Sequence, residues 1–358
     1  MSDVGKRWRA LPVEITSGEL AEACPRIPLP LAVTGATGFI GSHLVDSLLA
    51  GGVQPRLLVR DPARLRERPR SSAVIVRGGL DDAPAIRELV AGCATVVHLA
   101  GLVRAESGER FDRVNRLGTR SVVEALRDAA PGARLVHVSS LAAAGPSPDP
   151  AGRAPEDEPG PVSAYGRSKL AGELEARAHP GPWVVLRPPA VYGPRDIDVL
   201  QFFKLAARGM VPLPSGERWV TVAFVGDVVR AILAAAGGVA DRTTLHVGEA
   251  EPRTMAGLVA VLAAAGGVRA RVVRVPPFLV RALGAGGDLL QRLGMRDVAM
   301  TSDKARELLA RHWSSRTEPS LAALGLPGFV PMPDGAAATW AWYRDRGWVR
   351  PRVKMPPA

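Results

Sequence analysis

The sequence predicts an α/β fold: a doubly wound parallel sheet followed by a smaller, mainly helical C-terminal region. Short apolar runs alternate with segments of helical periodicity from about residue 29 to residue 188. This alternation is typical of a parallel sheet with helices on both faces. After Pro188 the regularity fades, and two blocks, about 194–220 and 250–345, indicate the smaller helical region.

The expected elements follow in chain order. Strands are predicted near 29–34, 55–60, 73–77, 94–100, 133–139 and 182–187. Helices are predicted between them, near 39–51, 82–91, 109–129 and 161–178. The segment from Gly145 to Pro161 contains six prolines and is therefore predicted to be loop.

The first strand leads into a glycine-rich turn, Thr34-Gly35-Ala36-Thr37-Gly38-Phe39-Ile40-Gly41, and then into a helix. Gly35 permits a tight turn, Gly38 lets backbone amides approach a pyrophosphate, and Gly41 lets the helix pack closely on the strand. The positive end of the helix then faces the phosphates. A glycine pattern in this strand–turn–helix context predicts a Rossmann-type dinucleotide site.

Composition excludes several classes of protein. The 358 residues suit one large or two smaller domains. Two cysteines, Cys24 and Cys93, and histidines without ligand spacing predict neither a disulfide framework nor a metal site, and a cytoplasmic location is expected. No apolar run reaches the length of a membrane span.

The net charge of +11 comes without an aromatic–basic stripe, so no nucleic-acid partner is predicted. It leaves open a general attraction for anionic ligands or membrane surfaces.

The main chemical signal is Tyr165-Gly166-Arg167-Ser168-Lys169. Residues four apart share one face of a helix. A lysine ammonium beside a phenol favours the phenolate, so Lys169 is expected to lower the pKa of Tyr165 from about 10 toward the range of an acid/base catalyst. A solvated surface pair is the alternative, and the upstream nucleotide-binding signature favours catalysis.

Seven motifs occur in the order found in extended short-chain dehydrogenases/reductases. They are Thr34 to Gly41, Gly78-Gly79-Leu80-Asp81, Val97-His98-Leu99-Ala100-Gly101, Val114-Asn115-Arg116-Leu117-Gly118-Thr119, Ser139-Ser140, Tyr165 to Lys169, and Leu186 to Pro194. Over about residues 29–348 the chain resembles this superfamily, also called the epimerase/dehydratase superfamily. The segment Ser139 to Pro146 is most similar to the 3β-hydroxysteroid dehydrogenase and dihydroflavonol reductase branch.

The resemblance implies a Ser-Tyr-Lys site. Tyr165 would protonate a carbonyl oxygen, Lys169 would hold the nicotinamide ribose, and Ser140, with Ser139 as the alternative, would orient the substrate oxygen. His98 is interpreted as a packed strand-end residue. The residues expected to bind the cofactor are Gly35, Thr37, Gly38, Phe39, Ile40, Gly41, Arg60, Asp81, Leu99, Ala100, Asn115, Tyr165, Lys169 and Pro188.

The end of the second strand bears on the choice of cofactor. NAD enzymes place an acid there for the ribose 2′-hydroxyl, and NADP enzymes place an arginine near the 2′-phosphate. The acidic position falls on Val59, and Arg60 follows. Valine accepts no hydrogen bond and arginine pairs well with phosphate, so NADP(H) is favoured over NAD(H). NAD remains an alternative, because the Asp61 carboxylate could accept the ribose 2′-hydroxyl if its side chain turned inward.

The substrate class is inferred from residues that related nucleotide-sugar enzymes have and this chain lacks. Where nucleotide-sugar dehydratases carry an Asp-Glu pair, this chain has Leu141 and Ala142. The position of a diphosphate-binding arginine in many epimerases falls on Val220, with Arg218 two residues away. Both departures disfavour a nucleotide sugar. The apolar segment from Val275 to Leu283 is interpreted as the lining of an apolar pocket or as a core helix.

The hypothesis is an NADP-dependent oxidoreductase that interconverts a secondary alcohol and a ketone on a bulky, apolar small molecule. The alternatives are an NAD-dependent nucleotide-sugar epimerase and a non-catalytic dinucleotide-binding sensor or assembly subunit; a homodimer is left open. The predicted organisation is a leader (1–28), a dinucleotide-binding domain (29–193, to which about 221–248 returns), a substrate region (194–220 and 249–348) and a tail (349–358).

Overall fold

The computed structural model describes residues 26–65, 71–295, 298 and 300–350. Most of the predicted leader and tail, together with Cys24, lies outside the described residues. None of the described helices is long and apolar enough to cross a membrane.

The described elements have these bounds. The strands are β1 (Leu31–Thr34), β2 (Arg56–Val59), β3 (Val74–Arg77), β4 (Thr95–His98), β5 (Arg134–Val138), β6 (Trp183–Arg187), β7 (Ala190–Tyr192), β8 (Met210–Pro214), β9 (Trp219–Val220), β10 (Val222–Phe224), β11 (Thr243–His246), β12 (Arg253–Thr254), β13 (Arg271–Val275) and β14 (His312–Trp313). The α-helices are α1 (Phe39–Ala50), α2 (Ala83–Val90), α3 (Gly108–Phe111), α4 (Gly118–Ala129), α5 (Leu141–Ala144), α6 (Ala164–Arg177), α7 (Leu200–Ala207), α8 (Val225–Ala236), α9 (Met255–Gly266), α10 (Pro277–Arg292), α11 (Ser302–Leu309), α12 (Glu318–Leu324) and α13 (Met332–Asp345).

A seven-stranded parallel sheet lies at the centre, in the order β11-β6-β5-β4-β1-β2-β3. The first strand, β1, lies inside the sheet, and the chain runs from it through β2 to one edge at β3. It then crosses back over β1 and continues through β4, β5 and β6 to the other edge at β11. This reversal confirms the doubly wound Rossmann-type fold. The six predicted strands are confirmed at their predicted places, and β11 adds a seventh.

Helices cover both faces of the sheet because its central strands are apolar on both sides. Along β1, Leu31 and Val33 pack into the core shared with α1 and α8. Between them, Ala32 packs into the core shared with α2 and α4. The predicted helix near 109–129 is confirmed as α3 and α4, joined by a π-helical segment, Asp112–Leu117.

The C-terminal region has its own apolar core, which contains Phe203, Trp340 and Tyr343. Its mainly helical character is confirmed, and short strands accompany the helices as a β8–β13 pair and a β12-β9-β14 sheet. The segment from Val275 to Leu283 corrects a prediction. It forms the end of β13 and the start of α10, where Phe278 and Leu283 are exposed instead of lining a pocket or a core.

Helix α6 packs closely on the π-helical segment at Gly172, where a Cβ atom would lie 2.6 Å from the Asn115 carbonyl oxygen. We therefore expect Gly172→Ala to lower the free energy of unfolding by about 1–3 kcal/mol through overpacking. Urea denaturation followed by circular dichroism measures this change.

Gly286 in α10 provides the matched control, because no heavy atom lies within 4 Å of the position of its Cβ atom. Gly286→Ala should raise the free energy of unfolding by up to about 1 kcal/mol, since alanine is the better helix former. Equal changes in the two variants would show that the packing at Gly172 contributes nothing.

Candidate active site

The turn after β1 requires glycine. Gly35 has φ +77°, and a Cβ atom there would lie 2.7 Å from the Ala100 backbone nitrogen. A Cβ atom on Gly41 would lie 2.1 Å from the Gly35 carbonyl oxygen. Helix α1 begins after Gly38 with no side-chain cap and no acidic residue in its first turn. Its N-terminal amides therefore fit an anion such as the pyrophosphate of a dinucleotide.

The other predicted cofactor residues lie in this turn or just beyond the carboxyl ends of neighbouring strands. Thr37, Phe39 and Ile40 belong to the turn and the start of α1; Arg60 follows β2; Asp81 follows β3; Leu99 and Ala100 follow β4; and Pro188 follows β6. Ligands of doubly wound sheets bind in this crevice, beside the point where the strand order reverses. The structure thus brings the strand-end residues to one edge of the sheet.

Arg60 and Asp81 approach each other across Gly79. A Cβ atom on Gly79 would lie 2.5 Å from Asp81 Oδ1 and 3.5 Å from Arg60 Cδ. Val59 is buried in the core, and Asp61 Oδ1 accepts a hydrogen bond from the Ala63 amide at 3.0 Å. Asp61 therefore caps its own 3-10 turn, whereas Arg60 is exposed at the strand end.

Asn115 joins the loop after β4 to α6. Its Oδ1 accepts a hydrogen bond from the Leu102 amide at 2.7 Å, and its Nδ2 donates to the Leu102 carbonyl at 3.0 Å and to Ser168 Oγ at 2.9 Å. Ser168 Oγ in turn donates to the Tyr165 carbonyl at 2.7 Å. Asn115 lies in the π-helical segment, a feature frequent at functional sites. Asn115 thereby ties the loop after β4 to the helix that carries Tyr165 and Lys169.

His98 is part of a buried hydrogen-bonded chain. Thr119 Oγ1 donates to the Asn115 carbonyl at 2.7 Å, so it accepts from His98 Nε2 at 3.0 Å. His98 Nδ1 then accepts from Thr34 Oγ1 at 2.7 Å, and Thr34 Oγ1 accepts from the Ala100 amide at 3.2 Å. Burial lowers the pKa of His98 to about 3. The imidazole is therefore neutral at physiological pH and ties the end of β4 to β1 and α4, as the strand-end interpretation implied.

The two serines after β5 point to different partners. Ser139 is buried, and its Oγ donates a hydrogen bond to Glu173 Oε1 at 2.6 Å. Ser140 begins α5, where its Oγ accepts from the Ala142 amide at 3.2 Å and lies close enough to the Tyr165 phenol to lower its pKa. The geometry therefore places the Ser140 hydroxyl, and not that of Ser139, beside Tyr165.

Tyr165 lies in the first turn of α6 with its ring against buried Phe111, at 5.8 Å between centroids. Removal from water raises the pKa of Tyr165 to about 12, against the opposing effect of the Ser140 hydrogen bond; Glu307 and Asp198 raise it further. The phenol is therefore protonated at neutral pH.

Helix α11 holds this first turn of α6 in place. Ser163 Oγ caps the helix by accepting from the Gly166 amide at 3.0 Å, and it donates to Glu307 Oε1 at 2.6 Å. The Ala164 amide donates to Asp303 Oδ2 at 2.7 Å. Acidic groups at a helix N-terminus are favourable, so these contacts stabilise the turn that carries Tyr165.

Lys169 is buried one turn after Tyr165, and its Nζ donates to the Val138 carbonyl at 2.8 Å. Burial lowers the pKa of Lys169 to about 8, and the nearby Glu173 carboxylate partly opposes this. The expectation that Lys169 lowers the pKa of Tyr165 is wrong for this structure. The ammonium is directed to the end of β5, and burial dominates at the phenol.

Sequence reasoning missed Glu173, which is fully buried on α6. Its carboxylate accepts from Arg187 Nε at 2.9 Å and from Arg187 Nη2 at 2.7 Å, besides the bond from Ser139. The available signal was its position four residues after Lys169, on the same face of the helix. Arg187 stands in the predicted Leu186-Arg187-Pro188 motif but had been given no role.

A cavity of about 260 Å³ lies in the C-terminal region, away from these side chains. It is lined by Leu213, Pro214, Gly216, Glu217, Arg218, Thr254, Met255, Ala256 and Arg274. Arg218 Nη1 donates to the carbonyls of Pro214, Ser215 and Gly216, so this guanidinium stabilises the turn that precedes it. Ser140, Tyr165 and Lys169 do not line the cavity.

Comparisons with known proteins agree with this geometry. Over 326 residues the chain is 36% identical to a ceramide reductase of Caulobacter vibrioides, covering 89% of this chain and 96% of that protein. Over 303 residues it is 28% identical to the 4-hydroxy-2-methyl-3-oxo-4-farnesyl-3,4-dihydroquinoline-1-oxide ketoreductase of Stigmatella aurantiaca, covering 77% and 90%.

Among solved structures, MoeE5 in complex with UDP-glucose and NAD superposes with a TM-score of 0.70 at 26% identity, covering 89% of this chain and 99% of that one. Residues 31–248 match the model of the NAD dependent epimerase/dehydratase family. The match spans the glycine turn, the tyrosine–lysine helix and all seven strands of the central sheet. The chain therefore belongs to the NAD dependent epimerase/dehydratase family and is an enzyme of the extended short-chain dehydrogenase/reductase type.

Proposed function

We propose that the protein is an NADP(H)-dependent oxidoreductase that reduces a ketone to a secondary alcohol on a bulky, apolar substrate. The observation that carries this proposal is that Tyr165 and Lys169 lie one turn apart on α6, with Ser140 close enough to the Tyr165 phenol to lower its pKa. These three groups stand at the carboxyl ends of the strands, beside a glycine turn that suits a dinucleotide.

The reaction assigns one task to each side chain. When bound, the nicotinamide would supply the hydride. Tyr165 would donate its phenolic proton to the carbonyl oxygen as negative charge develops there, and Ser140 would hold that oxygen by a hydrogen bond. A phenol whose pKa is about 12 keeps its proton at neutral pH. This protonation state suits the reduction of a ketone, because the alkoxide that forms is a stronger base than a phenolate.

The apolar substrate is supported by the residues that follow Ser140. Leu141 and Ala142 are buried in α5 and have no group that accepts or donates a proton. They cannot assist the elimination of water from a sugar. Ceramide and farnesyl groups, which appear in the names of two relatives, are long hydrocarbon structures. We therefore propose a ketone on a long-chain, lipid-like molecule.

The preference for NADP(H) is supported by three neighbouring residues. Val59 is buried, Asp61 is committed to the Ala63 amide, and Arg60 is left exposed at the end of β2. The acceptor that an NAD enzyme needs at the end of this strand is thus absent, and a guanidinium that can pair with a 2′-phosphate is present.

A nucleotide-sugar epimerase with retained NAD is the second candidate. The observation that favours it is the C-terminal cavity with Arg274 in its wall, because a guanidinium group suits a phosphate. Mass spectrometry of the cofactor after gentle purification separates the two functions. Tightly held NAD supports the epimerase, and freely exchanging NADP(H) supports the reductase. The non-catalytic alternative is disfavoured because both Tyr165 and Lys169 are present.

Tyr165→Phe removes the proposed proton donor while keeping the ring. We expect turnover of a ceramide-type ketone to fall by roughly 10²–10⁴-fold, with NADPH binding largely retained. Tyr192→Phe is the matched control, because the buried Tyr192 hydroxyl has no hydrogen-bond partner in the structure and should leave turnover near the wild-type value. Nicotinamide absorbance measures both, and near-normal turnover in Tyr165→Phe would remove the mechanism.

Arg60→Ala tests the assignment of the cofactor. We expect NADPH binding to weaken by about 1.5–3 kcal/mol, the range for a hydrogen bond to a charged group. NADH binding should barely change, so the dissociation constant for NADH divided by that for NADPH should fall about tenfold or more. Arg87→Ala, an exposed change on α2 with the same loss of charge, should change neither. Fluorescence titration of wild type and both variants with each cofactor measures these six dissociation constants, and equal weakening of both cofactors in Arg60→Ala would contradict the NADP proposal.

The lowered pKa of Lys169 predicts a dependence of cofactor binding on pH. Below pH about 8 the free enzyme carries the ammonium, and above it the neutral amine. Since the ammonium is the better partner for the ribose, NADPH affinity should fall as pH rises above about 8, by up to about tenfold per pH unit. Lys169→Met should bind more weakly and without this dependence. Titrations with NADPH over roughly pH 6 to 10, about two units on each side of this pKa, measure the dependence. The same pH dependence of NADPH affinity in wild type and Lys169→Met would contradict the assignment.

A further inference from the structure

Helix α10 packs with its small residues inward and its large residues outward. Val280, Gly284 and Gly287 are its buried residues. A Cβ atom on Gly284 would lie 2.9 Å from Ala305 Cβ, and one on Gly287 would lie 1.7 Å from the Met300 carbonyl oxygen. These small residues bring α10 close to α11 and its preceding loop, and they leave the larger apolar side chains directed away.

The outward residues form an apolar surface, which we call the α10 face. It consists of Phe278, Leu279, Leu283, Leu289, Leu290, Leu293 and Met295, all exposed. Phe278 is 64% exposed, Leu283 62% and Leu293 73%. Seven of the 16 exposed large apolar residues of the described chain therefore fall within one short segment. A contiguous apolar patch of this kind marks an interaction site.

The charges around the α10 face are almost all positive. Between Val268 and Met295 the chain has five arginines and one aspartate. Arg281 and Arg292 are exposed on α10, and three more arginines precede the helix. The aspartate, Asp288, accepts a hydrogen bond from the Ser302 amide at 3.0 Å. An apolar surface on a segment rich in arginines complements anionic headgroups above acyl chains. It does not complement a second copy of itself, because the arginines would face each other.

We propose that the α10 face docks the protein on the surface of an anionic lipid bilayer. The leucines and Phe278 enter the boundary between headgroups and acyl chains, and the arginines extend toward the phosphates. The contact is interfacial, since α10 has only 16 residues and three of them, Arg281, Asp288 and Arg292, carry charge. This proposal rests on the shape and charge of the surface and does not depend on the substrate proposed above.

Vesicle binding by the full chain tests the proposal. The probes are large unilamellar vesicles of phosphatidylcholine, with and without phosphatidylglycerol, and the bound fraction is measured by flotation. We expect binding to vesicles that contain phosphatidylglycerol, and affinity at least about tenfold weaker without that lipid or at high salt. Arg281→Gln combined with Arg292→Gln should remove most of the preference for phosphatidylglycerol.

Leu283→Glu combined with Leu290→Glu tests the apolar part of the contact. Since both residues are exposed, the thermal unfolding temperature should be retained, while vesicle affinity falls at least about tenfold. The matched control is Val74→Glu combined with Val239→Glu, two exposed residues outside the α10 face with the same change in charge, which should retain binding.

Three outcomes would overturn the proposal. They are no binding of wild type to either vesicle, equal loss in the Leu283→Glu, Leu290→Glu variant and the Val74→Glu, Val239→Glu control, or unchanged binding in the Leu283→Glu, Leu290→Glu variant. Light scattering identifies the competing occupant. A wild-type dimer that ignores vesicles and becomes monomeric in the Leu283→Glu, Leu290→Glu variant would assign the α10 face to a second copy of the chain.

Discussion

The buried ion pair between Glu173 and Arg187 is the interaction on which the geometry of the site depends. Both side chains are at most 1% exposed, and two parallel hydrogen bonds join them. Breaking such a pair leaves an uncompensated buried charge, which costs about 3–5 kcal/mol. Helix α6 therefore has one position along the end of β6. That position fixes how far Tyr165 and Lys169 stand above the edge of the sheet, because both precede Glu173 on the same helix.

The same carboxylate also affects the titration of Lys169. Glu173 holds Ser139 away from the substrate side and opposes the effect of burial at Lys169. Burial keeps His98 and His137 neutral, with pKa values well below the ordinary range. At neutral pH, Lys169 is thus the only one of the three basic side chains Lys169, His98 and His137 that carries a positive charge, and its lowered pKa of about 8 lies close to neutrality. The site combines a retained phenolic proton with a labile ammonium.

Local patterns predicted most of the fold and supplied the candidate members of the site. The glycine turn, the strand–helix alternation and the Tyr165–Lys169 spacing each depend on residues a few positions apart, so the sequence alone shows them. Three features depend on tertiary packing and were not predictable: the pKa of Tyr165, the Glu173–Arg187 pair, and the exposed position of α10. Periodicity shows that α10 is apolar, but only the glycine contacts with α11 show which side of it is covered.

The attachment of α11 to the start of α6 has one more consequence. Tyr165 stands two residues after Ser163, which is bound to Glu307, and Glu307 itself raises the pKa of the phenol. Any displacement of α11 would move this negative charge relative to the phenol. The hydrogen bonds at Ser163 and Ala164 therefore couple the position of α11 to the electrostatic environment of Tyr165.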